Sequence, residues 1–393
     1  MEDAPQPSPP INPWSLLAPL SLGFATGSAV RNAMFDTGLR KTNRTHAKVI
    51  SIGGIMAGGS GKTPVTLDIV RWLVYKLIPL DEWKEGEYPV VMVSRGYGRK
   101  SHGVRVVCDG TRVVTSAEEG GDEPVMMANA LLHDHRRKVF GVTRGVPVIV
   151  AEDRVAGVEE AERRFGAKVV VLDDAFSHRL IARDLDILII NEDLPDWWWR
   201  PLPAGRMRES FNSIRRADFI VYSGRKRNPV LRHKIGELLG AHDRSATVYV
   251  ETDNCSIHGG PKAGQKASLL GKRLVLATGI ARPKRFFTSI HNKSVTVIDT
   301  FAFPDHAPWT MAQRERVQHR ARQLGADAIV ITAKDAVKWP DEEFVPPVLV
   351  TDVTLRWSPE RPHQEHATLE PPPPAANPEL LELVRQVWES AGK

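Results

Sequence analysis

A glycine-rich turn follows a short apolar run near the start of the chain and ends in Gly-Lys-Thr. The run is Val49–Ile52, and residues 54–64 read GIMAGGSGKTP. Glycines let such a turn aim several backbone N–H groups at one anion, and a helix that begins at the lysine adds its positive dipole end. The turn therefore requires a strand before it and a helix after it, and the helix-like stretch 63–77 meets the second condition.

The turn departs from the G-x-x-x-x-G-K-[ST] pattern at one place, because Met56 stands where the first glycine is usual. The last three residues of the pattern carry the direct contacts: Lys62 would reach the β- and γ-phosphates, and the Thr63 hydroxyl would ligate Mg²⁺. We therefore predict a working nucleotide site. Its predicted phosphate-binding residues are Met56, Ala57, Gly58, Gly59, Ser60, Gly61, Lys62 and Thr63.

Short β-branched runs recur between helical stretches along the rest of the chain. The first series comprises Val49–Ile52, Val90–Ser94, Pro147–Ala151, Val169–Leu172, Leu185–Ile190 and Phe219–Tyr222. The second series comprises Arg273–Thr278, Val295–Phe301, Ala328–Thr332 and Val348–Val350, with predicted helices at Pro283–His291 and Met311–Leu324. Near-continuous apolar strands that alternate with helices indicate a parallel sheet covered on both faces.

We predict an α/β fold made of two units. A P-loop NTPase-type parallel sheet domain covers residues 49–240, and a second, smaller α/β domain covers residues 241–357. Their boundary falls in the basic, polar stretch Arg225–Arg244. Residues 358–393 are predicted to form a Pro-rich linker followed by the amphipathic helix Pro378–Ser390.

The N-terminal segment, residues 1–48, is first apolar and then basic. No charged residue occurs from Ala4 to Val30, but Pro, Ser and Gly residues dilute the stretch below the ~20 strongly apolar residues that a spanning helix needs. Five bases follow at Arg31, Arg40, Lys41, Arg44 and Lys48. This pattern is typical of a helix lying in an anionic membrane surface on the cytoplasmic side. A helix packed on the protein's own core is the alternative.

Composition narrows the classes of partner. The net charge of +6 is too small to indicate nucleic acid by itself. The two cysteines, Cys108 and Cys255, form no CxxC or Cys/His spacing, which suits a reducing compartment and argues against structural zinc. We expect a monomer with no nucleic-acid partner.

Two adjacent acids end the apolar run 168–172, which reads KVVVL. A P-loop needs a metal-binding acid at the end of a neighbouring strand, and Asp173 and Asp174 stand at that place. Strand-end aspartates can also cap the next turn. We predict that Asp173 ligates Mg²⁺ and that Asp174 belongs to the catalytic set.

These motifs alone leave GTPases, ATPases, kinases and transport motors open. A GTPase would need Asn/Thr-Lys-x-Asp to recognise guanine, and the nearest string is Thr332-Ala333-Lys334-Asp335, in which the lysine does not follow the threonine. The motifs are also compatible with a hydrolase that acts as a switch or metallochaperone, and with a degenerate membrane-binding homologue. The hydrolase predicts nucleotide hydrolysis without a lipid acceptor, and the degenerate homologue predicts nucleotide binding without turnover.

Further strings occur in a fixed order over roughly residues 12–340. They are SIGGIMAGGSGKTP (51–64), VSRGYGRK (93–100), GDEP (121–124), the segment 152–191 around VVVLDDAFSHR, LPAGRMRES (202–210), ATGIARPKRFF (277–287), FPDHAPW (303–309) and ITAKDAVKW (331–339). This set resembles the tetraacyldisaccharide 4'-kinase family, the lipid A 4'-kinases. The chain departs from the family's usual DDGFQH at Ala175 and Ser177, which puts the substrate contacts of that loop in doubt.

The resemblance implies a lipid kinase. Such an enzyme moves the γ-phosphate of ATP, with Mg²⁺, to the 4'-hydroxyl of a tetraacylated glucosamine disaccharide 1-phosphate. The family fold has two α/β/α domains with catalysis in the cleft between them. An N-terminal amphipathic segment associates with the cytoplasmic face of the inner membrane, in agreement with the pattern of residues 1–48.

The resemblance also implies roles for several residues. A sugar hydroxyl is a poor nucleophile at neutral pH, so a carboxylate that takes its proton is useful, and Asp122 of GDEP holds that place. His306 of FPDH pairs with it, Glu123 helps to hold the metal, and Arg208 stabilises the charge of the transferred group. Asp122 with Pro124 close behind also fits a simple helix N-cap. The implied catalytic set is Lys62, Asp122, Asp174, Arg208 and His306, and the metal set is Thr63, Glu123 and Asp173.

Overall fold

The computed structural model describes residues 17–58, 61–79, 83, 86–134, 141–142, 144–224, 226–291, 293–306, 308–358 and 377–391. The helices are α1 (Ala18–Asp36), α2 (Lys62–Trp72, continued by a π-helical turn at Leu73–Leu77), α3 (Ala117–Gly120), α4 (Asp122–Leu132), α5 (Arg154–Phe165), α6 (Pro229–Leu239), α7 (Pro283–His291), α8 (Met311–Gln323), α9 (Ala333–Ala336) and α10 (Pro378–Ser390). Short 3-10 turns occur at Asp196–Trp198, Phe211–Arg216 and Gly240–His242.

The strands are β1 (Lys48–Gly53), β2 (Val90–Ser94), β3 (Arg105–Cys108), β4 (Val148–Val150), β5 (Val169–Asp173), β6 (Leu185–Asn191), β7 (Phe219–Ser223), β8 (Ser245–His258), β9 (Lys266–Ala267), β10 (Arg273–Thr278), β11 (Thr296–Ala302), β12 (Ala328–Thr332) and β13 (Val348–Ser358). In the described part of the chain they follow the order β11-β10-β12-β13-β8-β7-β6-β1-β5-β2-β4-β3, and β9 pairs with β8.

The sheet consists of two parallel arrays. One runs from β4 through β2, β5, β1, β6 and β7 to β8, and the other joins β11, β10, β12 and β13. The long strands β8 and β13 pair antiparallel and connect the arrays. We call the part with β1–β7 the first lobe and the part with β10–β12 the second lobe. The predicted mixed α/β fold with a parallel sheet is confirmed, whereas the exact domain bounds stay a prediction.

Both faces of the first lobe's sheet are buried, because successive side chains of a strand point to opposite faces. On β1, Ile50 and Ile52 pack into a core with α2, α4 and α10, while Val49 packs into a second core with α5. The near-continuous apolar composition of these strands follows from this double burial.

Helix α1 lies on the first lobe through polar side chains. Ser21 is buried and accepts a hydrogen bond from the backbone N–H of Ala204, and Arg31 and Asn32 both donate to the buried carboxylate of Glu209, at 2.7 and 2.8 Å. Across the described ranges, no helix combines the length and the apolar content needed to cross a bilayer. The predicted Pro-rich linker lies outside those ranges.

Candidate active site

The carboxyl ends of the parallel strands meet at one cleft. In the first lobe, β1 leads into the glycine-rich turn and β5 ends at Asp173. In the second lobe, β10 leads into Gly279, and β12 ends at Thr332, which caps α9 by accepting from the N–H of Asp335. Ligands of open α/β sheets bind at this edge, so the topology alone brings the predicted residues of the two lobes together.

The glycine-rich turn has the backbone that phosphate binding requires. Gly58 and Gly61 have φ angles of 91° and 82°, which side chains with a Cβ rarely adopt, and α2 begins at Lys62 as predicted. Met56, which stands where the first glycine of the pattern is usual, has a buried side chain that packs in a core with Met207. Gly59 and Ser60, predicted to bind phosphate, lie outside the described residues.

Lys62, Asp174 and Arg208 form one charged network beside the turn. The Arg208 guanidinium donates two hydrogen bonds to the Asp174 carboxylate, at 2.6 and 2.9 Å, and Lys62 Nζ lies 3.5 Å from the same group. Burial alone would raise the pKa of Asp174, but Lys62 and Arg208 outweigh it and lower that pKa. The network carries two cations and one anion, so it favours a further negative group such as a phosphate.

Asp173 is buried next to the network. Its oxygens accept hydrogen bonds from Thr66 (3.1 Å) and Ser94 (3.2 Å). Burial, with the nearby carboxylates of Asp174 and Glu123, raises the pKa of Asp173 to about 6. Such a carboxylate is stabilised by a cation, which is the property expected of a metal ligand.

Asp122 and His306 are in direct contact across the cleft. His306 Nδ1 lies 3.0 Å from Asp122 Oδ2, and Lys338 Nζ lies 2.5 Å from the same oxygen. Burial opposes ionisation of Asp122, but the hydrogen bonds from His306 and Lys338 prevail and lower its pKa. Helix α4 begins at Asp122, and its N-cap residue is Gly121, so the simple N-cap interpretation of Asp122 is wrong. The Asp122 side chain contacts the second lobe instead.

Lys338 was missed by sequence reasoning, and so was Lys334. Lys334 Nζ lies 3.2 Å from His306 Nε2, 3.2 Å from Asp305 and 3.5 Å from Glu123. Both lysines occur in ITAKDAVKW, and their four-residue spacing was the available signal, because residues i and i+4 of a helix share one face; in the structure Lys334 lies on α9 and Lys338 in the turn that follows it.

A buried carboxylate fixes the loop that carries His306. Asp335 is fully buried and accepts hydrogen bonds from the Thr278 hydroxyl, the Gly279 N–H and the Trp309 indole, at 2.7, 2.9 and 2.9 Å. The backbone N–H of His306 donates to the carbonyl of Gly279, and His306 itself has a φ of 61°. The surroundings therefore hold this residue in a conformation that non-glycine residues seldom adopt.

Three further residues of the quoted strings have defined contacts. Tyr97 is 71% exposed, with its ring 5.7 Å from that of His306. Arg206 and Arg282, the latter from the second lobe, both stack on the ring of Trp198. Arg179 donates to Asp36 and to the carbonyl of Asn32, so it helps to hold α1 on the first lobe.

Comparison with known proteins identifies what this arrangement resembles. A family model described as Tetraacyldisaccharide-1-P 4'-kinase matches residues 13–370. A tetraacyldisaccharide 4'-kinase of Syntrophus aciditrophicus is 30% identical over 380 residues, which cover 93% of this chain and 95% of that relative. Another, of Chlorobium luteolum, is 35% identical over 333 residues, which cover 83% of this chain and 87% of the relative.

A solved structure has the same architecture. It is a crystal structure described as the "apo" form of LpxK from Aquifex aeolicus in complex with ATP. The two chains superpose with a TM-score of 0.70 and share 26% sequence identity. The superposition covers 95% of this chain and 99% of the other, so the similarity extends over both lobes.

Proposed function

The chain belongs to the tetraacyldisaccharide 4'-kinase family, and from that premise we propose how its cleft performs phosphoryl transfer. The protein is an ATP-dependent kinase that moves the γ-phosphate of ATP to the 4'-hydroxyl of a tetraacylated glucosamine disaccharide 1-phosphate, a step of lipid A biosynthesis. One observation supports the mechanism above all: Asp122 and His306, from different lobes, form a hydrogen-bonded pair in the cleft.

In this mechanism Asp122 is the general base. Both of its donors, His306 and Lys338, bind Oδ2, and no described residue forms a hydrogen bond with Oδ1. Oδ1 is therefore the oxygen that accepts the proton of the 4'-hydroxyl as that group attacks phosphorus. His306 orients the carboxylate, and the base is complete only when the second lobe meets the first.

Lys62 and Arg208 act on the phosphoryl group that is transferred. Phosphoryl transfer spreads charge over the equatorial oxygens, and two cations held beside the glycine-rich turn stabilise that charge without moving. Asp174 holds both in place. Thus Asp174 contributes by positioning cations, while Lys62 and Arg208 contact the phosphates.

The residues present fit Mg²⁺. The Thr63 hydroxyl and the carboxylates of Asp173 and Glu123 are hard oxygen donors. Burial, with the neighbouring carboxylates of Asp174 and Glu123, raises the pKa of Asp173, so a cation at this place would stabilise its ionised form. Among the described residues no group of three His, Cys, Asp or Glu side chains could hold a metal alone. This agrees with Mg²⁺, which needs one or two carboxylates with substrate phosphates and water. When bound, Mg²⁺ neutralises phosphate oxygens.

The function is tested with purified protein, γ-labelled ATP and the tetraacyl disaccharide 1-phosphate. Label in a bis-phosphorylated lipid is the expected result. Label released only as inorganic phosphate would identify a hydrolase instead. ATP binding without release or transfer would identify a degenerate homologue.

Lys338→Met tests the environment of Asp122 through pH. Lys338 lowers the pKa of Asp122, so its removal raises that pKa, and the ionised base is then lost at a higher pH as the solution is acidified. We expect the acid limb of the kcat/KM profile to move to higher pH, with the deficit largest in acid. Lys338→Arg, which keeps the charge, is the matched control. An acid limb common to all three proteins would contradict this account.

The membrane surface is the second partner in the proposal, at the cytoplasmic face of the inner membrane. Helix α1 directs polar side chains to the protein and apolar ones outward, the reverse of an ordinary surface helix. The exposed apolar residues are Leu20, Leu22, Phe24, Val30 and Met34. Exposed bases follow at Arg40, Lys41 and Arg44, where anionic headgroups would attract them.

Liposome binding tests this surface. Full burial of one apolar side chain contributes about 1.5–3 kcal/mol. With partial burial at the membrane surface, about 1 kcal/mol for each side chain, Leu20→Gln, Leu22→Gln and Phe24→Gln together should weaken binding by ~10²-fold. The control carries Leu270→Gln and Val345→Gln, which change exposed apolar residues of the second lobe. We measure co-flotation with vesicles that contain anionic lipid. Equal flotation of the triple variant and the control would exclude α1 as the attachment surface.

A further inference from the structure

Two lysines of the second lobe contact the pair formed by Asp122, the proposed general base, and His306. Lys334 and Lys338 project from α9 and the turn after it, and their side chains are only 14% and 9% exposed. Asp335, between them, is bound by three donors from two other segments of the second lobe, Thr278 and Gly279 in one and Trp309 in the other. The lysines are therefore presented from a rigid support, and each has its own target: Lys338 contacts Asp122, and Lys334 contacts the far side of His306.

The contacts of Lys334 restrict the protonation of His306. A lysine ammonium has three donors and no acceptor, so the ring nitrogen that it contacts must accept. That nitrogen is Nε2, at 3.2 Å. The carboxylate of Asp305 also faces Nε2, but at 3.8 Å, beyond hydrogen-bond distance. With Nε2 as acceptor, the proton of a neutral imidazole sits on Nδ1.

This tautomer is the one that Asp122 requires. Nδ1 lies 3.0 Å from Asp122 Oδ2, and a carboxylate only accepts hydrogen bonds. An imidazole protonated on Nε2 would instead place its lone pair against the carboxylate and repel it. The orientation of the base thus depends on a hydrogen bond that lies on the opposite side of the ring.

We propose that Lys334 is a positioning residue for phosphoryl transfer, which donates to Nε2 of His306 and thereby fixes the Nδ1–H tautomer that orients Asp122. The inference rests on the proposed function of Asp122 as base. Lys334 contacts His306 Nε2, whereas Lys338 contacts the Asp122 carboxylate, so Lys334 acts on the base through the imidazole ring.

The tautomer is measured directly by NMR on protein labelled with ¹⁵N-histidine, with the His306 signals assigned by their loss in His306→Gln. We expect a protonated Nδ1 and an unprotonated Nε2 in the parent protein. Lys334→Met removes the donor and should give a mixture of tautomers with about tenfold lower kcat, a fraction of the loss expected for the base itself. Lys334→Arg supplies another donor without an acceptor, so it should restore the Nδ1–H signal.

Lys262→Met, an exposed lysine of the same lobe, controls for loss of one charge and should leave kcat and the tautomer unchanged. A proton on Nε2 in the parent protein would overturn the inference, and so would identical His306 signals in the parent and Lys334→Met. A wrong assignment of Asp122 as general base can be distinguished from a wrong assignment of Lys334. In the first case Asp122→Asn would keep full turnover, whatever the NMR signals of His306.

Discussion

Replacing Lys62 with methionine is expected to lower kcat/KM by about 10³-fold, the upper range for removal of one preorganised donor from a transition state. Methionine keeps the length of the side chain but removes the charge that faces the phosphates. Asp174 keeps its ion pair with Arg208, at 2.6 Å, so the variant tests the lysine and not the whole network. The loss should fall mainly on kcat, because the backbone N–H groups of the turn still bind ATP.

The measurement is steady-state transfer of label to the lipid, together with ATP binding by calorimetry. Lys76→Met is the matched control, since Lys76 is exposed in the π-helical turn that continues the same helix. Its kinetics should equal those of the parent protein. If Lys62→Met retained more than about a tenth of the parent's turnover, well short of the loss expected for such a donor, the glycine-rich turn would not be the phosphate site.

The parallel strands were predictable because they are buried on both faces. β2, β10 and β12 begin and end at the predicted residues, and so do helices α7 and α10. Apolar runs and capping residues are local signals, so they can be recognised without knowledge of the rest of the fold.

The connection between the lobes was not predictable in the same way. β8 runs from Ser245 to His258 through a polar, alternating sequence, and β13 continues from the predicted Val350 to Ser358. Both strands extend because they pair with each other, in a register that runs from Val348 with His258 to Ser358 with Thr247. Pairing between distant segments leaves little trace in either segment alone.

The site residues likewise divide into those that local motifs predict and those that only the fold brings together. Lys62, Asp173 and Asp174 follow from local motifs, since Lys62 begins the helix after the glycine-rich turn and Asp173, followed by Asp174, ends a recognisable strand. Lys334 and Lys338 matter only because a separate lobe brings them to Asp122 and His306. No spacing within ITAKDAVKW indicates which carboxylate those lysines will meet, so their partners became visible only in three dimensions.

Asp122→Asn is expected to lower kcat by at least about 10²-fold, the usual scale for loss of a general base. Asparagine has almost the same shape and can still accept a hydrogen bond from His306, but its amide cannot take a proton from the sugar hydroxyl. ATP affinity should change little, because the contacts that the structure describes for the Asp122 carboxylate are with His306 and Lys338 of the second lobe. The thermal unfolding midpoint of the variant shows whether leaving Lys338 without its carboxylate disturbs the fold.

A double-mutant cycle separates a working pair from two independent residues. If His306 acts by orienting Asp122, then His306→Gln lowers kcat in the parent protein but has little further effect once Asp122→Asn has removed the base. The double variant should therefore resemble Asp122→Asn alone. Losses that multiply would mean that His306 contributes by another route, and the base would then need no closure of the second lobe over the first. In the proposed mechanism, a pair that spans two lobes makes proton removal conditional on closure, and such closure would protect ATP from attack by water when no lipid is bound.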